Sequence, residues 1–215
     1  PVFVENDCNA CTLGVHEVEL KGRPKNLIGL FLGTGIGGGI ILQGDLYRGF
    51  NGTAGEIGHM VLQVGGPKCG CGNNGCFEAL ASRTALFREL QQRVKAGEKT
   101  ILNELLGPDL DDLKSGDLRK AIRKGDKLVE RVVESAAEYT GVAVANLINI
   151  FNPDTIVLGG GVIDALEDEM MSIIVETALD YAMPGTTNGI EIVASKLGDN
   201  AGITGGAVPA RQRSK

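Results

Sequence analysis

Four soft metal donors crowd into one short stretch of this chain: His59, Cys69, Cys71 and Cys76, spaced His-x9-Cys-x-Cys-x4-Cys. Three thiolates and an imidazole make a closed tetrahedral zinc set. Any fold the chain adopts must therefore let these side chains meet. Gly70, Gly72 and Gly75 lie among the sulfurs and allow the tight turns that convergence needs. A disulfide would use two thiols and leave one over, and the five cysteines of the chain are an odd number. A redox pair normally reads Cys-x-x-Cys, whereas the close pair here is Cys-x-Cys. Inert thiols would be scattered on apolar faces. Cys8 and Cys11 fit that description, as small half-buried residues at a helix start.

The 215 residues allow one large domain or one and a half smaller ones. Apolar residues make up 43 %, enough for a substantial core. A net charge of −6 with no long basic run argues against a general nucleic-acid or membrane-surface binder. No apolar run reaches the roughly 18 residues of a membrane span, so the cytoplasm is the expected location. The chain opens on a strand-like run, Pro1-Val2-Phe3-Val4, as a segment of a longer protein would.

Periodicity predicts a strand over Val2–Val4, a helix over 8–18 and a strand over Leu27–Leu32. A glycine turn, Gly33–Gly39, leads into a strand over Ile40–Gln43. A hairpin turn at Gly44-Asp45 precedes Leu46-Tyr47, which makes 27–47 an antiparallel meander. A loop over 49–55 leads to a strand over Ile57–Val64. Phe77, Leu80, Ala81, Thr84 and Ala85 have helical spacing. The charged stretch 88–127 reads as short surface helices, and a long helix runs from about Asp126 to Ile150, stopped by Asn152-Pro153-Asp154. A buried strand over Thr155–Leu158, a helix over 165–182, a strand over Ile190–Ala194, a turn at Gly198-Asp199 and a last helix complete a mixed α/β pattern.

Several motifs carry candidate chemistry. Gly33-Thr34-Gly35 opens a tract with five glycines in seven residues between two strands. A dinucleotide fingerprint needs a helix next, so that reading is disfavoured. Backbone N–H groups and the Thr34 hydroxyl could still hold phosphate oxygens; a plain hairpin turn is the alternative. Gly159-Gly160-Gly161 lies at the carboxyl end of a strand, where open α/β sheets place ligands, and close helix–strand packing explains it equally well. Asp7, in Glu5-Asn6-Asp7, could be a general base or a helix cap. Glu56 and Glu78 flank the His/Cys cluster. His59 could bind metal through one ring nitrogen and substrate through the other.

Together these pieces resemble the ROK family of repressors, open reading frames and sugar kinases. The matching residues are Val4-Glu5-Asn6-Asp7-x-Asn9-Ala10, Gly33-Thr34-Gly35-Ile36-Gly37-Gly38-Gly39, Gly52-x-Ala54-Gly55-Glu56-Ile57-Gly58-His59, Cys69-x-Cys71-Gly72-x-x-Gly75-Cys76-x-Glu78, Leu158-Gly159-Gly160-Gly161 and Leu197-Gly198-x-x-Ala201-Gly202-x-x-Gly205. The resemblance implies an α/β fold of the actin-like, ribonuclease-H-like ATPase type. Residues 1–215 would form mostly its large C-terminal lobe, with a zinc-binding segment at 59–76 and a helical surface segment at about 82–150.

The activity implied is ATP-dependent phosphorylation of glucose at the 6-hydroxyl. Asp7 would be the general base, and Asn6, Glu56, His59 and Glu78 would bind sugar hydroxyls. Gly33, Thr34 and Gly35 would hold ATP phosphate, and Gly159, Gly160 and Gly161 would lie by the adenosine. Zn2+ on His59, Cys69, Cys71 and Cys76 would be structural, with Mg2+ accompanying ATP. The family also implies a homo-oligomer, a dimer or tetramer. Its alternatives are a kinase of fructose, mannose or N-acetylmannosamine, or a sugar-responsive repressor, the one case that would bring in a nucleic-acid partner. The family's Asp-x-Gly-Gly-Thr phosphate loop does not occur in residues 1–215, so these residues alone are expected to have little or no kinase activity.

Overall fold

The apolar run Leu27–Leu32 becomes the central strand, β1, of a five-stranded sheet. The computed structural model describes residues 4–107, 109, 110, 112–198 and 200–213, with side chains as far as Val208. Strand β1 runs antiparallel to β2 (Ile36–Leu42), which pairs with a short edge strand β3 (Asp45–Leu46). On its other side β1 is parallel to β4 (Thr155–Gly159), and β4 to β5 (Glu191–Ala194). The order is β3-β2-β1-β4-β5, with Leu30 opposite both Gly38 and Leu158.

Both faces of β1 are buried, and its alternation sorts them. Ile28, Leu30 and Leu32 join the core beneath helices α6 (Lys127–Phe151) and α7 (Gly161–Tyr181). Leu27 and Phe31 join a smaller core beneath α1 (Asp7–Gly14), with Leu13 and with Val208 of α8 (Asn200–Arg213). The result is a sheet between two helical layers. Helix α6 starts where the Asp126 carboxylate accepts from Leu128 N and Val129 N at 3.0 and 3.1 Å. It stops where Asn152 turns left-handed at φ 43°.

Several expectations change. The Val2–Val4 strand falls largely outside the described residues, and Val4 itself is exposed. The hairpin turn is Gln43-Gly44, not Gly44-Asp45. The glycine turn is only three residues long, because Gly37, Gly38 and Gly39 are inside β2. Side chains there would collide with Cys8 Sγ, Ile57 Cδ1 and Thr12 Oγ1 respectively. Those glycines therefore serve packing: α1 lies directly on the backbone of β2, which brings the head of α1 to the 33–35 turn.

The strand expected over Ile57–Val64 does not form. Ile57–His59 is a turn of 3-10 helix, and beyond it only Val61 makes a β-bridge, to Cys76. The apolar side chains divide: Ile57 is buried, whereas Val61 and Val64 face solvent. The segment is held instead by the cysteine-rich turn it contacts, through Leu62 N to Gly75 O and Phe77 N to Met60 O. The helix expected from residue 77 breaks at Ser82, giving α2 (Phe77–Ala81) and α3 (Arg83–Lys95). The 82–150 segment is not merely a surface cap. Leu90, Leu102, Leu118 and Ala121, from α3, α4 (Leu102–Leu106) and α5 (Ser115–Arg123), enter the main core with α6.

Candidate functional site

A cleft of about 530 Å3 opens at the carboxyl end of β1 and is lined by Asn6, Asp7, Gly33, Thr34, Gly35, Glu56, His59, Glu78 and Gly160, among others. Helix α1 delivers the first two. Asn6 caps it, its Oδ1 accepting from Cys8 N at 2.9 Å and Asn9 N at 3.1 Å. That leaves the Asn6 amide group as a donor for a ligand. Asp7 is exposed, and its Oδ1 accepts from Cys8 N at 2.8 Å. Cys8 and Cys11 line the same cleft, half-buried as expected. Burial, with the Asp7 charge adding to it, pushes the Cys8 thiol up to about 12, so it stays protonated and unreactive.

Glu78 sits in the first turn of α2 and reaches the glycine turn: its Oε2 accepts from Ile36 N at 3.0 Å. A side chain at Gly35 would collide with that oxygen. Glu78 Oε1 accepts from the Cys69 thiol at 3.5 Å. Cys69 Sγ is also 3.7 Å from His59 Nδ1, while His59 Nε2 faces Glu56 Oε2 at 3.8 Å. The two nitrogens of one ring therefore face the sulfur cluster and the cleft.

The cluster itself is a tight knuckle. Gly75 N bonds Pro67 O, Cys69 N bonds Asn73 O, and Gly72 N bonds Cys69 O. It brings one ligand atom from each of His59, Cys69, Cys71 and Cys76 to within 4.8 Å of one another. A tetrahedral ion with metal–sulfur bonds near 2.3 Å needs sulfurs about 3.8 Å apart, and Cys71 and Cys76 are 3.7 Å apart. The donor set and its spacing fit a metal ion of zinc's size and preference. Without one, burial pushes the Cys76 thiol up to about 12, while the Asn73 backbone N–H lowers Cys71.

The three glycines after β4 separate in role. Gly160 lines the cleft at φ 88°, and a Cβ there would lie 2.6 Å from Leu32 O. Gly159 is buried under Phe31 of the neighbouring strand β1, not against a helix. Gly161 opens α7 and does not line the cleft. Sequence reading missed Arg83. Its backbone N–H donates to Gly33 O at 2.9 Å, and its guanidinium hydrogen-bonds the Thr34 hydroxyl. Thr84 Oγ1 adds a bond to Thr34 O at 2.7 Å. A cation thus stands against the glycine turn from a helix start far along the chain. The one local hint was Ser82 before it, which caps α3 by accepting from Ala85 N.

A mixed α/β sheet with this cleft at the strand ends is the actin-like ATPase arrangement, and the solved structures similar to this one share it. The chain belongs to the ROK family, whose sequence model matches residues 1–213. It is 38 % identical to a glucokinase of Thermotoga maritima, over 99 % of this chain and 66 % of that protein. Among solved structures it is similar to a ROK family glucokinase from Streptomyces griseus in complex with glucose and AMPPNP. There the identity is 34 % and the TM-score 0.88, over 99 % of this chain and 69 % of that one. A xylose repressor of Bacillus spizizenii is 34 % identical over 95 % of this chain and 49 % of its own length. The chain spans about two thirds of the length of the curated glucokinases it matches.

Proposed function

We propose that these residues form the large, sugar-binding lobe of a cytoplasmic, ATP-dependent glucokinase. The observation that carries the reading is the company Asp7 keeps. An exposed carboxylate at the head of α1 shares one cleft with Asn6, Glu56, His59, Glu78 and the Gly33–Gly35 turn. In this reading Asp7 takes the proton from the sugar 6-hydroxyl as that oxygen attacks the γ-phosphorus. The O6–P bond forms, and the bond from phosphorus to the β–γ bridging oxygen breaks, releasing ADP. Positioning and charge neutralisation do most of the work in such a transfer. Thr34, Arg83 and the turn amides serve the phosphates, with Mg2+ as the counter-ion that ATP brings. Zn2+ on the His59–Cys76 set is structural and orients His59 and Glu78. Five cysteines outside any disulfide suit a reducing compartment, and no described helix is long and apolar enough to cross a membrane.

The likeness to a xylose repressor supports a second reading, sugar binding without catalysis. What favours the kinase is Asp7, which a binding domain does not need. The test is a coupled ADP-release assay on the intact, zinc-loaded protein with glucose, mannose, fructose and N-acetylmannosamine. Turnover fastest on glucose is expected. Turnover on none of them, with hexose still bound, would establish the repressor reading. Residues 1–215 assayed alone are expected to show little or no turnover.

Arg83→Ala should raise KM for MgATP by about tenfold, the scale of one lost charge-assisted contact, and leave glucose affinity intact. Steady-state kinetics with each substrate varied in turn check this. An unchanged KM for MgATP would confine Arg83 to holding the turn.

A further inference from the structure

We infer that Glu5 and Arg48 are a positioning pair that sets the distance between Asp7 and the Glu56–His59 group, and thereby controls hexose affinity. The inference rests on the kinase reading of the cleft. The chain enters the cleft at 6–11 and again at 52–59, on either side of the β1–β2–β3 meander. Glu5 joins the two passages. Its Oε2 accepts from Arg48 Nη2 at 2.6 Å and Arg48 Nε at 3.0 Å. Its Oε1 accepts from Asn9 Nδ2 at 3.0 Å and Asn6 N at 3.2 Å. The carboxylate is thus gripped from the α1 side by the backbone of Asn6 and by Asn9, itself 2 % exposed, and from the loop side by one guanidinium.

The loop between Arg48 and Glu56 has little else to hold its start. Residues 49–53 are exposed, Phe50 completely. The described hydrogen bonds of 49–55 are internal to the loop and its 3-10 turn: Ala54 N to Arg48 O, Thr53 Oγ1 to Asn51 Oδ1, and Ile57 N to Gly55 O. Tyr47 N, bonded to Ile40 O at 2.7 Å, fixes where the chain leaves β3, and Glu5 ties the next residue, Arg48, to the head of α1. Burial works to raise the Glu5 carboxyl, but the hydrogen bonds from Arg48 and Asn9 outweigh it and hold the group below its usual value. An ion pair whose arginine is 45 % exposed contributes little to stability. Its effect is geometric: two donors of one guanidinium converge on Glu5 Oε2 while Asn9 and Asn6 hold Oε1, which fixes the distance from Arg48 to the head of α1. Small misplacements at a reacting centre cost far more in rate than in stability.

The test uses Glu5→Gln, Arg48→Gln and the double variant in the intact, zinc-loaded protein, with glucose binding measured by calorimetry beside steady-state kinetics. Each single variant is expected to raise Kd and KM for glucose on the order of tenfold. KM for MgATP, zinc content and Tm should stay at wild-type values. The double variant should be no worse than either single one, because the two residues act as one unit. Arg48→Lys keeps the charge but loses the fork, and should remain impaired. Wild-type glucose affinity in either single variant, additive losses in the double, or weakening that follows zinc loss would each overturn the pairing. A wild-type protein that binds none of the four hexoses would instead overturn the functional reading, before any variant is compared.

Discussion

Asp7→Asn is expected to abolish phosphorylation of glucose, lowering kcat by roughly 10²–10⁴-fold, the range a positioned general base supplies, with glucose affinity nearly unchanged. The substitution is clean because the fold does not lean on this carboxylate. The cap of α1 is Asn6, and the one described hydrogen bond of Asp7, from Cys8 N at 2.8 Å, can be accepted equally by an asparagine oxygen. Asparagine keeps the shape of the side chain and removes only its ability to take a proton. Coupled-assay kinetics set beside calorimetric titration of glucose separate the two effects. A loss of glucose affinity as large as the loss of kcat would make Asp7 a binding residue first.

Cys71→Ser should release zinc and, with it, weaken hexose binding. Among the three clustered sulfurs Cys71 is the exposed one, while Cys69 and Cys76 are buried. Serine at 71 therefore strands no hydroxyl in the core, and the loss is confined to a metal ligand. With three donors left, the knuckle over 67–75 rests on a few backbone hydrogen bonds. His59 then loses the ion that fixes its ring, and α2, capped at Cys76, loses the ligand that holds Glu78 two residues further on. Both cleft residues lose their shared anchor, so a rise in Kd for glucose on the order of 10–100-fold is expected, as for lost support around a metal site. Metal analysis and glucose titration of the same sample check it, and chelation of the wild-type protein should reproduce it. Metal-free protein with full glucose affinity would cut the link between the knuckle and the cleft.

Local chemistry made much of this chain legible. The run Leu27–Leu32, the ends of α6 and the buried strand after Asn152-Pro153-Asp154 follow from hydrophobic period and from residues that favour starting or stopping a helix. The convergence of His59, Cys69, Cys71 and Cys76 is legible for the same reason: it is enforced within one short stretch. Asn6, Asp7, Glu56 and Glu78 were legible through motif order, not through any local force.

What failed depended on partners remote in sequence. Ile57–Val64 is apolar enough to read as a strand but has no neighbouring strand to pair with, and the cysteine knuckle takes its hydrogen bonds instead. Gly37, Gly38 and Gly39 read as part of the phosphate turn, but α1 packs on Gly37 and Gly39 and Ile57 packs on Gly38. Arg83 reaches Thr34, and Arg48 reaches Glu5, across more than forty positions, with no local signature.

The His59–Cys76 spacing and the apolar periods were determined by the sequence alone, because each rests on residues within a few turns of one another. The cleft was decided only by the tertiary structure. The sheet order brings the head of α1, the 33–35 turn and the knuckle to one end of β1, and side chains that far apart in sequence meet only once the two cores have closed around it.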